Sequence, residues 1–358
     1  MIDRQRLVQT FLDLVRIDGP SGHEQEVTRF CATRLSSLGF STETDAAGNL
    51  FAKKPGRGQP LMINAHTDSV QPCLGIKPVV EGDRVHSDGT TILGADDRAA
   101  VAVILEVTRV LSEDKLGHPP LEVVLTTREE LGLRGSKEMD YSKVSAKTCI
   151  TIDHAGPAGG MVIAAPYQNR LQAIVHGKAA HAGVAPETGI SAIRIAAEAI
   201  AAMPLGRIDS ETTSNIGLIH GGSARNVVPE RVEIDGEARS RAEGKLQVQT
   251  SAMVDALRSA AARHGGRVDV TVTRNYDGFR IGLESATLQR LMAAARAIGI
   301  EPRLEESGGG SDVNIFRTHG IDAVTISVGY GAGHTTSEYQ DIPEMVKTAE
   351  LLLKAIVM

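Results

Sequence analysis

Four short and almost continuously apolar runs, at residues 61–65, 121–125, 149–152 and 323–328, constrain this chain more than any other feature. Between them lie segments whose apolar residues recur at helical spacing: 8–15, 24–38 (stopped by Gly39), 99–111 and 288–298. A strand that is apolar on both sides needs cover on both sides. Strands of this kind alternating with helices therefore predict an α/β fold, a mainly parallel sheet with helices on both faces.

Residues 167–280 have a different texture. Strand patterns at 171–175, 215–219, 232–238 and 267–273 and helix patterns at 191–203 and 244–264 fall in the order βαββαβ, which predicts a ferredoxin-like α+β unit. The α/β texture resumes afterwards, and a length of 358 residues suits two domains. The expected organisation is a catalytic domain formed by 1–167 and 281–358, interrupted by an inserted domain at 168–280.

Composition removes several function classes. A net charge of −6 lacks the basic excess of a nucleic-acid binder, so no nucleic-acid partner is expected. No apolar run approaches the ~20 residues of a membrane helix, and residues 1–6 lead into a charged amphipathic stretch rather than a signal peptide. The cysteines, Cys31, Cys73 and Cys149, form neither a CxxC pair nor an even disulfide set and read as buried thiols of a cytoplasmic protein. GxGxxG, GxxxxGK[ST], HExxH and GxSxG are all missing, which disfavours nucleotide cofactors and a nucleophilic serine.

The polar residues that stand out follow the apolar runs: His66 and Asp68, Glu129 and Glu130, Asp153, and His334. In open α/β sheets ligands gather beyond the carboxyl ends of the strands, so four separate strands aim at one place. Imidazole and carboxylate together suit zinc. In His66-Thr67-Asp68 an extended backbone puts both polar side chains on one side, where Asp68 can orient the imidazole. Asp96 and Asp97 precede the 99–111 helix pattern, where one of them could serve simply as its N-cap. Adjacent Glu129 and Glu130 repel unless a cation compensates, and such a pair can divide its work between ligating a metal and handling the proton of an attacking water.

These residues resemble the two-zinc metallopeptidases that include peptidase T, aminoacylase and glutamate carboxypeptidase, and most closely the peptidase T-like branch. The likeness spans nearly the whole chain: His66-Thr67-Asp68, Thr91-Ile92-Leu93-Gly94-Ala95-Asp96-Asp97, Glu129-Glu130-Leu131-Gly132, Asp153, Gly177-Lys178-Ala179-Ala180-His181-Ala182-Gly183, Asn226, the glycine run before Ser311-Asp312, and His334 with Glu338. It implies two Zn2+ ions, with cobalt or manganese as alternatives. Asp96 would bridge them, His66 and Asp153 completing one site and Glu130 and His334 the other. It further implies Glu129 as general base, a cis peptide between Asp96 and Asp97, a lid or dimerisation role for the inserted domain at 168–280, His181 and Asn226 as substrate contacts from that lid, and a homodimer formed through it. Arg280 matches an arginine of the tripeptidase and becomes the expected anchor for a substrate carboxylate, while Gly308 stands where that enzyme has a second arginine. The expected activity is hydrolysis of short peptides, from the amino end. An aminoacylase or carboxypeptidase on the same scaffold, or a non-catalytic metal- or substrate-binding protein, are the rival readings.

Overall fold

In the computed structural model, which describes residues 1–358, the Leu61–His66 strand lies between Leu121–Thr126 and Thr148–His154 and runs parallel to both. Asp322–Ser327 extends this parallel core beyond Thr148–His154. Every residue of Leu61–His66 and of Leu121–Thr126 is buried, as continuous apolarity requires of a sheet covered on both faces. Antiparallel strands border the core: Leu50–Lys54 beside Leu121–Thr126, with Ser41–Thr44 beyond it, and Gly160–Ala165 beside Asp322–Ser327. The expected mainly parallel α/β sheet is therefore present, flanked by antiparallel strands.

The helices cover the sheet through periodic apolar faces. Arg4–Val15 buries Leu7, Phe11, Leu14 and Val15, and the Asp3 side chain caps it by accepting from the Arg6 N–H. Ala95–Glu113, buried along nearly its whole length, packs between this helix and the C-terminal Ile342–Val357 helix. Arg98 is 2% exposed and donates to the carbonyl oxygens of Leu14, Ile17 and Gly19. A cation thus sits at the carboxyl end of the first helix, where unpaired carbonyls and the helix dipole favour it.

Two compact units emerge: Met1–Ile163, Arg280–Glu306 and Ser311–Met358 form the first, and Ala164–Phe279 with Ser307–Gly310 the second. The second unit has its own sheet, in the order Thr212–Gly221, Arg231–Ser240, Tyr167–His176, Arg267–Tyr276, antiparallel throughout. The helices Ala192–Ala202 and Glu243–Arg263 pack together and against this sheet. Leu171, Ala173 and Val175 alternate inward along one strand and meet Ile195, Leu246, Met253 and Leu257 from the helices. This is the ferredoxin-like arrangement expected from the βαββαβ order.

Candidate metal centre

At the carboxyl end of the parallel strands the backbone turns sharply and presents acidic and imidazole side chains together. His66 is the last residue of its strand. Its Nδ1 lies 3.2 Å from the Asp68 carbonyl oxygen and 3.4 Å from the Asp68 carboxylate, which orients the ring and turns Nε2 toward the other acidic groups. Nε2 faces Asp96 Oδ1 at 3.1 Å and Asp153 Oδ1 at 3.8 Å.

Asp96 is not a helix cap. The helix that starts at Ala95 has Gly94 in the left-handed region (φ 74°) at its N-cap, and Asp96 and Asp97 have non-helical dihedrals. The peptide joining them is cis. Asp96 Oδ1 faces His66, while Oδ2 lies 3.4 Å from His334 Nε2. His334 Nε2 is also 2.8 Å from Glu130 Oε1. Two groups capable of holding a metal ion thus share Asp96: His66, Asp96 and Asp153, and Asp96, Glu130 and His334.

Glu129 and Glu130 sit on a short 3-10 turn entered through Arg128 at φ 52°. Their backbone N–H groups donate to Asp68 Oδ1 at 2.9 Å and Oδ2 at 3.2 Å, and the Ser21 hydroxyl donates to Oδ2 at 2.7 Å. The Asp68 carboxylate is therefore saturated by groups it positions. Glu129 itself is buried beside the first group of ligands.

Carboxylates of Asp68, Asp96, Asp97, Glu129, Glu130, Asp153 and Asp312 crowd around two imidazoles. Burial, then the neighbouring Asp153 and Glu130 charges, push Glu129 well above the ordinary glutamate range. Asp153 is raised by burial and by Asp97 and Asp96. Burial opposes ionisation of Asp96, but His334 and His66 outweigh it and hold its carboxyl low. Asp96 and Glu130 raise the His334 imidazole to about 11. A cluster of this charge and donor type is short of cations, and oxygen and nitrogen ligands in two groups sharing one carboxylate fit a pair of divalent ions.

Three participants lacked a decisive sequence signal. Asp97 Oδ2 accepts from the His66 N–H at 3.2 Å, tying the two ligand segments together. Asp312 is buried and accepts from the Thr126 hydroxyl at the end of a central strand; its glycine-rich approach reads equally well as a simple turn. Glu338 accepts three backbone N–H groups from residues 93–96. Only packing reveals such long-range pairs.

The remaining predicted site residues, Arg280, His181 and Asn226, each have a defined local setting. Arg280, 60% exposed in its side chain, donates to Glu306 Oε1 at 2.8 Å. In the second unit His181 and Asn226 are brought together: the Ala182 N–H donates to the Asn226 carbonyl oxygen at 3.0 Å, and His181 bridges to Val227. His181 Nδ1 accepts from the Gly183 N–H at 3.2 Å, so the ring proton resides on the exposed Nε2.

Fold and site together define a metal-dependent hydrolase of the metallopeptidase class. Residues 169–265 match the peptidase dimerisation domain model and residues 49–184 the peptidase family M28 model. The protein YqjE of Bacillus subtilis (strain 168) is 42% identical over 99% of both chains. The crystal structure of aminopeptidase PepT from Bacillus cereus ATCC 10987 superposes with a TM-score of 0.85 at 42% identity, covering 99% of this chain and 98% of that one. That of a tripeptidase from Staphylococcus aureus subsp. aureus Mu50 gives 0.91 at 38% identity, covering 100% and 98%. The chain belongs to the peptidase T-like branch of these metallopeptidases.

Proposed function

We propose that the protein hydrolyses the peptide bond of short peptides, from the amino end, using two zinc ions held by His66, Asp96, Asp153, Glu130 and His334. The observation that carries this reading is Asp96, whose two carboxylate oxygens face one imidazole each, with a further carboxylate beside each imidazole. Cobalt or manganese would satisfy the same donors. Bound by these residues, two such ions would supply a water of lowered pKa and polarisation of the scissile carbonyl.

Glu129, held beside the ligands by the Asp68 clamp on its backbone, accepts the proton of the attacking water as the C–O bond forms. It returns that proton to the amine as the C–N bond breaks. Asp68 orients the His66 ring and so acts through its neighbours. In the second unit, which we assign as lid, His181 offers an Nε2–H suited to a developing oxyanion, and Asn226 offers a second contact. Arg280 serves as the carboxylate anchor. Its exposed pair with Glu306 is of a kind worth only ~0–1 kcal/mol, so a substrate carboxylate can displace it.

The similarity to PepT and the tripeptidase supports peptide substrates over other amides. We further propose a homodimer through the lid, supported by the match to the dimerisation domain and by Leu218 and Ile219, exposed on the Thr212–Gly221 strand. No helix is long and apolar enough to cross a membrane, and three buried free cysteines suit a reducing cytoplasm. Assay of tripeptides, N-blocked peptides and N-acyl amino acids with added zinc or cobalt tests the activity. Turnover confined to free-amino peptides is expected, and a preference for N-acyl amino acids would overturn the assignment.

A further inference from the structure

His334 lies on a loop between the short strands Tyr330–Gly331 and Tyr339–Asp341, which pair antiparallel. Within the loop Ala332 and His334 both adopt left-handed dihedrals, and His334 is half-exposed. At its far end stands Glu338, 1% exposed, whose N–H closes a turn onto the Thr335 carbonyl oxygen at 3.1 Å.

The Glu338 carboxylate faces the entrance of the Ala95–Glu113 helix. Oε2 accepts from the Leu93 N–H at 2.8 Å and the Gly94 N–H at 2.7 Å, and Oε1 accepts from the Asp96 N–H at 3.0 Å. That helix begins at a glycine and receives no side-chain cap from its own N-terminal segment. Its first N–H groups need acceptors, and the positive end of its dipole favours an anion. Glu338 accepts one of them, from Asp96, and two more from Leu93 and Gly94, which lead into the helix, all from more than 240 residues away along the chain.

We propose that Glu338 is a positioning residue of the metal centre, locking the His334 loop to the Asp96 turn so that both ligands approach one metal ion together. It rests on the metallopeptidase reading above and adds a control element outside the ligand set. The chemistry explains why a carboxylate is required. Two carboxyl oxygens accept from three converging donors, whereas a glutamine of equal size presents an N–H2 group to at least one of them. Partners that orient metal ligands without touching the ion typically change affinity 10–100-fold when lost.

The test titrates metal-free wild type, Glu338→Gln and Glu338→Asp with cobalt(II), following the d–d absorption bands. Melting of the metal-free proteins and kcat and KM for a tripeptide are measured alongside. Glu338→Gln is expected to bind the weaker cobalt equivalent about 10–100-fold less tightly. Its band shape should change, metal-free melting should drop only a few degrees, and KM should change less than kcat. Glu338→Asp, which keeps the charge on a shorter arm, should fall between. If Glu338→Gln does not fold, the aspartate variant decides by the same titration. Wild-type affinity and spectrum in a folded variant, or an affinity loss that merely follows collapse of the metal-free fold, would overturn the proposal. Wild type that binds no cobalt would refute the metallopeptidase reading itself, whereas normal wild-type binding with unaltered variants refutes only the role of Glu338.

Discussion

Glu129 and Glu130 are adjacent in sequence, yet the turn that carries them sends them to different tasks. Glu130 meets His334 at 2.8 Å, whereas Glu129 is buried next to His66 and bonded through its backbone to Asp68. Changing Glu129 to Gln should therefore cut turnover by about 10²–10⁴-fold while leaving the metal content near two ions per chain, measured by kinetics and elemental analysis of the same sample. Activity within tenfold of wild type would remove Glu129 from the proton path. Arg280 gives a second prediction. Replacement by Met should cost on the order of 2–4 kcal/mol in kcat/KM for free peptides and much less for C-terminally amidated ones. Equal losses would leave Arg280 only its surface pair with Glu306.

At the scale of elements, Asp322 shows how one side chain fixes the junction of a strand and a helix. Its carboxylate accepts from the Ser285 hydroxyl and the Thr287 N–H at the start of the Ala286–Ala297 helix, and from Arg317 of the Asp312–Thr318 helix. Burial alone would raise its pKa, but the Thr287 N–H, the Ser285 hydroxyl and Arg317 outweigh that and hold the carboxyl below its ordinary value. A depressed folded-state pKa contributes stability that is present above the unfolded value of 3.8 and lost as pH falls through the lower folded one. Asp322→Asn should accordingly cost about 1–3 kcal/mol at pH 7, with the difference from wild type shrinking below pH ~4 in urea unfolding. A difference independent of pH would assign the loss to packing.

For the whole molecule, the metal centre links stability to metal and to protons. Ions that bind only the folded chain raise the melting temperature by mass action, about 2.7 kcal/mol of stabilisation at a hundredfold excess over Kd. Chelation should reverse this. Without metal, Asp96 and Glu130 keep His334 protonated up to about pH 11, and that ion-pair contribution is full below the unfolded value of 6.5 and lost as pH rises through 11. A ligating imidazole is neutral, so loading at pH 7.5 should release protons and apparent affinity should climb with pH. Calorimetry in phosphate and Tris, whose ionisation heats differ, measures the release. Identical heats in both buffers would exclude it.

The sequence by itself determined the layered α/β core, the ferredoxin-like insertion and the end of the sheet where chemistry gathers. Each follows from local periodicity: continuous apolarity at 61–65 and 121–125 demands two-sided cover, and alternation at Leu171, Ala173 and Val175 demands one-sided cover. His66, Glu130 and Asp153 were legible because strands end there. Tertiary structure decided what no local pattern encodes. Asp96 turned from a plausible cap into a carboxylate shared by two imidazoles, because a non-helical turn redirects its side chain. Asp97, Asp312 and Glu338 acquired partners 31, 186 and more than 240 residues away, and a hydrogen bond between segments that distant exists only once the sheet has brought them together.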